Sequence, residues 1–234
     1  MFYICRQNTQ QYKIIASYQK INTLFKREEK TNNIILGDYT FDYFKTLENT
    51  LWECTEKIDG TNIHIDIDWR EENDWSISFH GRTERADIPK HLLEKLHNIF
   101  DSFNPNNVFS FKEPTTIQLF GEGYGINIQK GKNYIADDVD FILFDIRVGK
   151  WWLQRNSLED LAHKMGLKIV PIIGYMTLNE AIEFVKNGYK STIAENKNYD
   201  AEGLVLKTKD GLLDRSGNRI ITKIKTKDFA HLNK

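Results

Sequence analysis

The chain has 234 residues, of which 40% are hydrophobic and 12% aromatic, and its formal net charge is −1. This composition predicts a globular protein with a sizeable core and excludes a low-complexity chain. The near-zero charge excludes the strong overall basic field that attracts nucleic acid. Because the apolar runs are too short to cross a bilayer and the N-terminus lacks a signal pattern, we expect a soluble cytoplasmic protein without membrane contact.

The charge is unevenly distributed along the chain. Residues 203–234 contain eight Lys or Arg against three Asp, a net charge of +5, which leaves −6 for residues 1–202. Such a segment is either a solvated face or a surface that contacts phosphates, and composition leaves both readings open.

The cysteines and histidines predict no special site. Cys5 and Cys54 form no CxxC pair, which favours a reducing compartment over a disulfide framework. The six histidines lack the linear spacing of a zinc site.

The first clear secondary-structure pattern follows a mixed, polar N-terminal stretch of 50 residues. Residues 52–56 are extended, and turn chemistry at Asp59-Gly60 predicts a bend beside Lys57. Strict apolar-polar alternation then predicts a half-buried strand over 61–69. We expect it to form a hairpin with residues 75–80 across the polar loop 70–74.

Helices and strands are mixed in the rest of the chain. The pattern predicts a helix to residue 103 with Asp87 as its N-cap, strands over 116–120 and 140–148, and strands over 202–208 and 219–224. Two short helices are expected between them, the first from Ser157 to Gly166 and the second from the Thr177–Glu180 capping box to Gly188. This order favours a single α+β domain over residues 1–234, with antiparallel sheets and residues 1–50 packed on them as a lead-in.

Five polar clusters stand at the ends of the predicted strands. They are Lys57–Gly60, Gly81–Thr83, Phe120–Gly123, Ala201–Lys207 and Lys223–Lys225, with the apolar Phe141–Ile146 between the third and fourth. As a set, in this order, they resemble the motifs of the RNA ligase family of covalent nucleotidyltransferases. The resemblance covers roughly residues 18–230 and is closest to the branch typified by phage ligases that seal nicks in duplex RNA.

The resemblance implies a nucleotidyltransferase (ATP-grasp-like) domain of antiparallel sheets flanked by helices. Because nine residues follow Lys225, we expect no appended C-terminal or OB domain. Lys57 would be the nucleophile, Lys223 and Lys225 would contact the phosphates, and Glu202 would lie near a metal ion. The implied nucleotide-binding residues are Glu56 (through its backbone), Asp59, Gly60, Asn62, Arg82, Glu122 (at the ribose), Phe144 (stacked on the base) and Glu202.

Each of these residues also has an ordinary structural explanation. Lys57 and Arg82 can be plain surface cations, and Glu202 can be a turn carboxylate. Phe144 can be a core residue, with Phe141 as a competing stacking residue. Asp145, beside Phe144, can pair with Arg147 or with a backbone amide, or can act in the site directly.

The implied chemistry requires an activated lysine. A lysine amine has a pKa of about 10.4, so near pH 7.4 only about one in a thousand is neutral, which corresponds to about 4 kcal/mol. Desolvation and neighbouring cations lower the pKa of a lysine, and Lys223 and Lys225, alternating on one strand, can provide such cations.

The resemblance therefore implies an ATP-dependent RNA ligase that uses ATP with Mg²⁺ or Mn²⁺ and acts on RNA ends or nicked duplexes in RNA repair. Lys57 would take AMP, transfer it to a 5′-phosphate, and the enzyme would join that end to a 3′-hydroxyl. The alternatives are a DNA ligase or other polynucleotide adenylyltransferase, and a non-catalytic nucleic-acid-binding relative. The sequence predicts no oligomeric state.

Overall fold

Two β-sheets, each built mainly from antiparallel strands, line the two sides of a cleft. The computed structural model describes residues 18–83 and 86–231. The strands are β1 Asn22–Thr23, β2 Phe25–Arg27, β3 Ile34–Tyr39, β4 Trp52–Glu56, β5 Thr61–Glu71, β6 Asp74–Gly81, β7 Thr115–Gly125, β8 Val139–Val148, β9 Trp151–Trp152, β10 Lys168–Ile169, β11 Ile172–Met176, β12 Gly203–Thr208 and β13 Ile221–Lys225. The helices are α1 Asp42–Thr46, α2 Lys90–Phe100, α3 Arg155–Met165 and α4 Leu178–Lys186.

The strand order separates the two walls of the cleft. A five-stranded sheet has the order β1-β13-β12-β4-β11, and a six-stranded sheet has the order β10-β8-β7-β5-β6 with β9 paired to β8. The pairs are antiparallel except β1 with β13 and β10 with β8, where two-residue strands run parallel at an edge. The predicted α+β class with antiparallel sheets is confirmed.

The predicted hairpin is present as β5 and β6. Ile63, Ile65 and Ile67 are fully buried on the face that packs against helices α2 and α3. The opposite face is less exposed than its polar residues suggest, since His64 is only 6% exposed. Strand β7 is longer than predicted because its glycine-rich end pairs with the start of β5, with Gly121 opposite Ile63 and Gly123 opposite Thr61.

The helices are present, but two predicted N-caps are wrong. The first long helix begins at Lys90 with Pro89 as N-cap, and Asp87 lies before it in the connecting loop. That helix ends at Phe100. Ser157 lies inside α3, whose N-cap is Gln154. In both cases a short polar residue near the predicted helix start suggested an N-cap. The helix begins a few residues away, because tertiary packing determines where the chain enters the helix.

Three other predicted helix ends are confirmed. Gly166 closes α3 in the left-handed conformation with φ 67°. The capping box of Thr177 and Glu180 is formed at the start of α4, and Gly188 follows its C-cap with φ 71°.

Three apolar clusters support the two walls. The largest lies between the six-stranded sheet and helices α2 and α3. A second packs helices α1 and α4 and the β2–β3 hairpin on the five-stranded sheet, and so includes residues from the predicted N-terminal lead-in. A third, around Ile58, Tyr124 and Tyr134, lies beside the connection between the sheets. Residues 1–17 of the lead-in fall outside the described part of the chain. None of the described helices combines the length and apolar character needed to cross a membrane.

Candidate active site

Lys57 lies where the chain passes from one sheet to the other. Strand β4 of the five-stranded sheet ends at Glu56, and strand β5 of the six-stranded sheet begins at Thr61. The Lys57 backbone N–H donates to the Gly203 carbonyl at 2.8 Å, which anchors the crossing to the start of β12. The crossing therefore holds the lysine at the cleft.

The glycine of the crossing is required by close approach. A Cβ atom at Gly60 would lie 2.3 Å from the Gly123 carbonyl oxygen and 2.8 Å from Glu122 Cγ. The Asp59 N–H donates to the Tyr134 hydroxyl at 3.2 Å, which fixes the other side of the bend. This packing accounts for the Lys-x-Asp-Gly order in terms of geometry.

One carboxylate joins two of the predicted lysines. Glu202 Oε2 accepts from Lys57 Nζ at 2.5 Å, and Glu202 Oε1 accepts from Lys225 Nζ at 2.6 Å. These side chains are 13–20% exposed, so water screens the pairs only partly. Burial opposes ionisation of Glu202, but Lys57 and Lys225 outweigh it and lower the pKa of the carboxyl.

Lys223 lies on the same wall. It lines the cleft together with Lys57 and the exposed Arg82. Removal from water, followed by the charges of Lys57, Lys225 and Arg82, lowers the pKa of Lys223. The predicted placement of Lys223 and Lys225 on one side of β13 is present, and it concentrates positive charge around one carboxylate.

Glu122 faces this cluster from the opposite wall, where Asn62 is its cross-strand neighbour on β5. Burial raises the pKa of Glu122 to about 8, because removal from water outweighs the nearby Lys57, and Glu202 and Asp59 add repulsion. At neutral pH this carboxyl is protonated and can donate a hydrogen bond as well as accept one.

Glu56 directs its side chain away from the cleft. Its carboxylate is 1% exposed and accepts from Ser191 Oγ at 2.5 Å, from Thr192 N at 2.9 Å and from Thr192 Oγ1 at 2.6 Å. The residue therefore offers its backbone to the cleft, and its side chain ties β4 to the loop before β12.

A bulge in β8 decides between the two phenylalanines. Phe120 of β7 pairs with Asp145, and Gly121 pairs with Leu143, so Phe144 is the extra residue. Such a bulge re-aims a side chain, and Phe144 lines the cleft. Phe141 is 1% exposed and belongs to the core behind the sheet. The geometry thus favours Phe144 as the aromatic available for stacking.

Asp145 is the centre of a buried ionic network beside Phe144. Its Oδ2 accepts from Tyr18 at 2.7 Å, Lys207 at 2.9 Å and Arg219 at 2.7 Å. Burial opposes its ionisation, but Lys207 and Arg219 hold its pKa below the ordinary value. The alternative in which Asp145 pairs with Arg147 is wrong, since Arg147 donates to Gln118 instead.

Tyr18 was missed by sequence reasoning. Its ring contacts Phe144 edge-on, with centroids 5.0 Å apart, and residues 18–21 line one side of the cleft. A lone tyrosine in a polar lead-in carries no periodic signal, so this contact was visible only in the folded chain.

The basic C-terminal segment divides into inward and outward cations. Lys207 and Arg219 are held by Asp145, and the Arg219 guanidinium lies 3.5 Å from the Trp152 ring centroid. Lys209 and Arg215 are exposed, and Lys209 lies over the Tyr175 ring. Of these four residues, the two outward cations are the ones available for contact with a large partner.

The cleft thus brings together most of the predicted site. Its lining includes Glu56, Lys57, Asn62, Arg82, Glu122, Phe144 and Lys223. Glu202 joins it through its ion pair with Lys57, and Lys225 joins it through its ion pair with Glu202, while Asp59 and Gly60 shape the crossing. The set combines a paired lysine amine, three further cations, two carboxyl groups and an aromatic ring, which suits the binding of a nucleotide and attack on its phosphate.

Comparison with known proteins identifies solved structures with the same fold. Three solved structures of Naegleria gruberi RNA ligase share the fold: a mutant with ATP and Mn, a mutant with AMP and Mn, and the ligase with PPi. The ATP complex has a TM-score of 0.57 at 18% identity over 92% of this chain and 62% of that chain. The AMP complex has a TM-score of 0.57 at 18% identity over 91% and 62%. The PPi complex has a TM-score of 0.57 at 19% identity over 92% and 63%.

The chain therefore spans less than two thirds of the length of these solved relatives. No curated protein sequence matches it significantly. A sequence model of the family described as RNA ligase matches residues 50–225, which is most of the chain and includes the five polar clusters from Lys57 to Lys225. The chain belongs to the RNA ligase family.

Proposed function

We propose that this protein is an ATP-dependent RNA ligase that forms a covalent lysyl-AMP at Lys57. Lys57 Nζ attacks the α-phosphorus of ATP; an N–P bond forms, the bond to pyrophosphate breaks, and the amine loses its proton. A 5′-phosphate oxygen then attacks the same phosphorus, which releases Lys57. A 3′-hydroxyl finally attacks the activated 5′-phosphate and AMP leaves.

One observation carries the proposal. Lys57 Nζ is paired with Glu202 at 2.5 Å in a cleft that Lys223, Arg82, Glu122 and Phe144 also line. A surface lysine beside an ordinary turn has no reason to be anchored to a second strand, paired with a shared carboxylate and surrounded by three further cations. The solved ligases with ATP, AMP and PPi support the same reading, since they share the fold.

The surrounding charges have two tasks. Glu202 holds the Lys57 amine in position at 2.5 Å. Attack needs the neutral amine, and Lys223, Lys225 and Arg82 would stabilise negative charge on the transferred phosphate. Glu122, protonated at neutral pH, would donate a hydrogen bond to an oxygen of the ribose.

Glu202 offers the ligand type that a divalent cation prefers. Hard oxygen ligands suit Mg²⁺ and Mn²⁺, and Glu202 is the carboxylate beside the attacking lysine. We infer that Glu202 would hold such an ion, which when bound would supply positive charge to the pyrophosphate leaving group.

The proposed polynucleotide contact uses the outward cations. Lys209 and Arg215 are exposed, and Lys209 lines a groove together with Trp151, which is 79% exposed. Exposed aromatic rings stack on unpaired bases and cations contact the phosphates. Family membership favours RNA over DNA as the strand.

The first experiment tests the covalent step. Incubation with α-labelled ATP and Mg²⁺ or Mn²⁺ should transfer label to the protein in a bond that resists base and is released by acid, as expected for a phosphoramidate. Lys57→Ala should abolish labelling entirely, while Lys164→Ala, which changes an exposed lysine on α3, should keep it. Persistent labelling of Lys57→Ala would assign the nucleophile to another residue.

The second experiment tests the substrate. Nicked duplexes that differ only in RNA or DNA at the 3′-hydroxyl strand should be sealed faster with RNA. Changing Lys209 and Arg215 to Gln should flatten the salt dependence of RNA binding by about 0.7–0.9 in slope for each phosphate that the variant no longer neutralises. Formation of the lysyl-adenylate should stay unchanged in that variant. An unchanged salt slope would place the strand on another surface.

A further inference from the structure

A cluster of two histidines and one aspartate lies on the polar face of the β5–β6 hairpin, outside the set described above. We propose that His64, Asp66 and His80 form a binding site for a transition metal ion, with Zn²⁺ as the best-fitting ion. This site is separate from the carboxylate beside Lys57, and its existence does not depend on the proposed ligase activity.

Strand register creates the cluster. His64 of β5 lies directly opposite His80 of β6, and Asp66 is two residues further along β5 on the same face. One ligand atom from each of the three side chains lies within 4.8 Å of the others. Asp66 Oδ2 is 3.7 Å from His80 Nε2. Residues two apart on a strand, such as His64 and Asp66, face the same side of the sheet. His80 is paired with His64 across the strands, so its side chain points to that side as well.

Neighbouring side chains hold the carboxylate in place. Gln118 Nε2 donates to Asp66 Oδ1 at 2.9 Å, and Arg147 Nε donates to Gln118 Oε1 at 2.8 Å. This chain of hydrogen bonds leaves Asp66 Oδ2 directed at His80. Oriented hydrogen bonds of this kind behind a ligating group are typical of metal sites, because they fix the ligand before the ion arrives.

The ligand types select the metal. Two imidazole nitrogens and one carboxylate oxygen form the ligand set of a tetrahedral Zn²⁺ site with one open position. Mg²⁺ prefers oxygen ligands and retains its waters, so the same cluster disfavours it. His64 is 6% exposed, whereas the His80 side chain is 40% exposed, so the site opens to solvent through His80.

Binding requires one movement. The two imidazole rings are stacked, with centroids 4.6 Å apart and an angle of 13° between their planes. The nitrogen lone pairs lie in these nearly parallel planes, so they do not converge on a single ion. His80, the more exposed ring, must turn about its side-chain bonds for both nitrogens to face one ion. Two of the cleft residues lie close to these ligands in sequence: Asn62 is two residues before His64, and Arg82 is two residues after His80. A bound ion would therefore link the start of β5 to the end of β6, beside the cleft.

The test measures Zn²⁺ binding alone, without nucleotide, by equilibrium dialysis and calorimetry. The parent chain should bind one Zn²⁺ ion, and His80→Ala and Asp66→Asn should each weaken binding at least tenfold. Two control variants should bind like the parent. His97→Ala removes a histidine from an exposed His–Asp pair on α2, and Glu202→Gln removes the carboxylate beside Lys57.

Bound Co²⁺ gives a second readout, because visible d–d bands of a tetrahedral ion require the intact ligand set. The bands should be present in the parent and in His97→Ala and absent from His80→Ala and Asp66→Asn. Absence of Zn²⁺ binding by the parent would overturn the proposal. So would undiminished binding in both His80→Ala and Asp66→Asn, or an equal loss of binding in Glu202→Gln. Since none of these measurements uses ATP or RNA, their failure leaves the proposed function untouched.

Discussion

The two walls of the cleft differ in the charges of the side chains that line them. The wall built on the five-stranded sheet gathers Lys223, Lys225 and the anchored Lys57 around one ionised carboxylate, Glu202. The wall built on the six-stranded sheet presents the amide of Asn62, the ring of Phe144 and Glu122, whose pKa is raised to about 8.

Under the proposed function, each sheet therefore has a separate task. Concentrated positive charge suits phosphates and a reacting amine, whereas neutral hydrogen-bonding groups and an aromatic ring suit a sugar and a base. The chain crosses between the sheets at Lys57 itself, so the proposed nucleophile stands where the two environments meet. Four predictions test this division.

The largest effect is expected at Glu202. Glu202→Ala removes the carboxylate that the ammonium groups of Lys57 and Lys225 share. Breaking such a partly buried pair costs about 3–5 kcal/mol. We expect adenylation of Lys57 to fall at least about a hundredfold. Single-turnover labelling with α-labelled ATP measures it. Glu159→Ala, which breaks an exposed pair on α3, is the control, and equal losses in both variants would contradict the special role of Glu202.

The next effect concerns Glu122 and the pH dependence of stability. Its folded pKa of about 8 lies above the ordinary value of 4.5, so between these values the folded chain holds a proton that the unfolded chain has released. Stability from this group therefore falls as pH rises, by about 2 kcal/mol between pH 6 and pH 8. Glu122→Gln should flatten this trend. Chemical denaturation at both pH values measures it, and an unchanged pH trend in the variant would show that Glu122 is ionised at neutral pH.

A smaller effect is expected from Lys223. Lys223→Ala removes this cation from the wall built on the five-stranded sheet. Adenylation should slow about tenfold, a rate change that corresponds to the loss of one charged hydrogen bond. If its charge also helps to deprotonate Lys57, the rate profile of Lys223→Ala should move to higher pH. Single-turnover rates across pH values measure both. A slower variant with an unmoved profile would limit Lys223 to phosphate contact.

The smallest effect separates the two phenylalanines of β8. Phe144→Leu should raise the KM for ATP by about two- to tenfold, which corresponds to the stacking of one aromatic ring. Phe141→Leu should leave that KM unchanged and lower the free energy of unfolding by about 1–2 kcal/mol, because Phe141 is a core residue. Steady-state kinetics and denaturant unfolding distinguish them, and the reverse pattern would place Phe141 at the base.

Much of the fold followed from local patterns. Alternation predicted the β5–β6 hairpin, the capping box predicted the start of α4, and Gly166 predicted the end of α3. Polar residues near a helix start misled, as Asp87 and Ser157 did, because a side chain that can cap a helix is often used otherwise.

The site was predicted less evenly. The order of motifs along the chain identified Lys57, Glu122, Glu202 and the two lysines of β13, and the fold brings them to one cleft. Sequence order left Phe144 and Phe141 undecided, since an insertion of one residue in a strand reverses which face a side chain takes. It also missed Tyr18, whose contact with Asp145 spans 127 residues.

The sequence by itself determined the order of the polar clusters along the chain and the periods of most strands and helices that hold them, because these depend on residue type and near neighbours. The tertiary structure decided the rest. The bulge at Phe144, the buried network on Asp145 and the meeting of His64 with His80 all arise from pairing between strands. Register is set by the burial of a whole sheet face, so no local segment contains the information that fixes it.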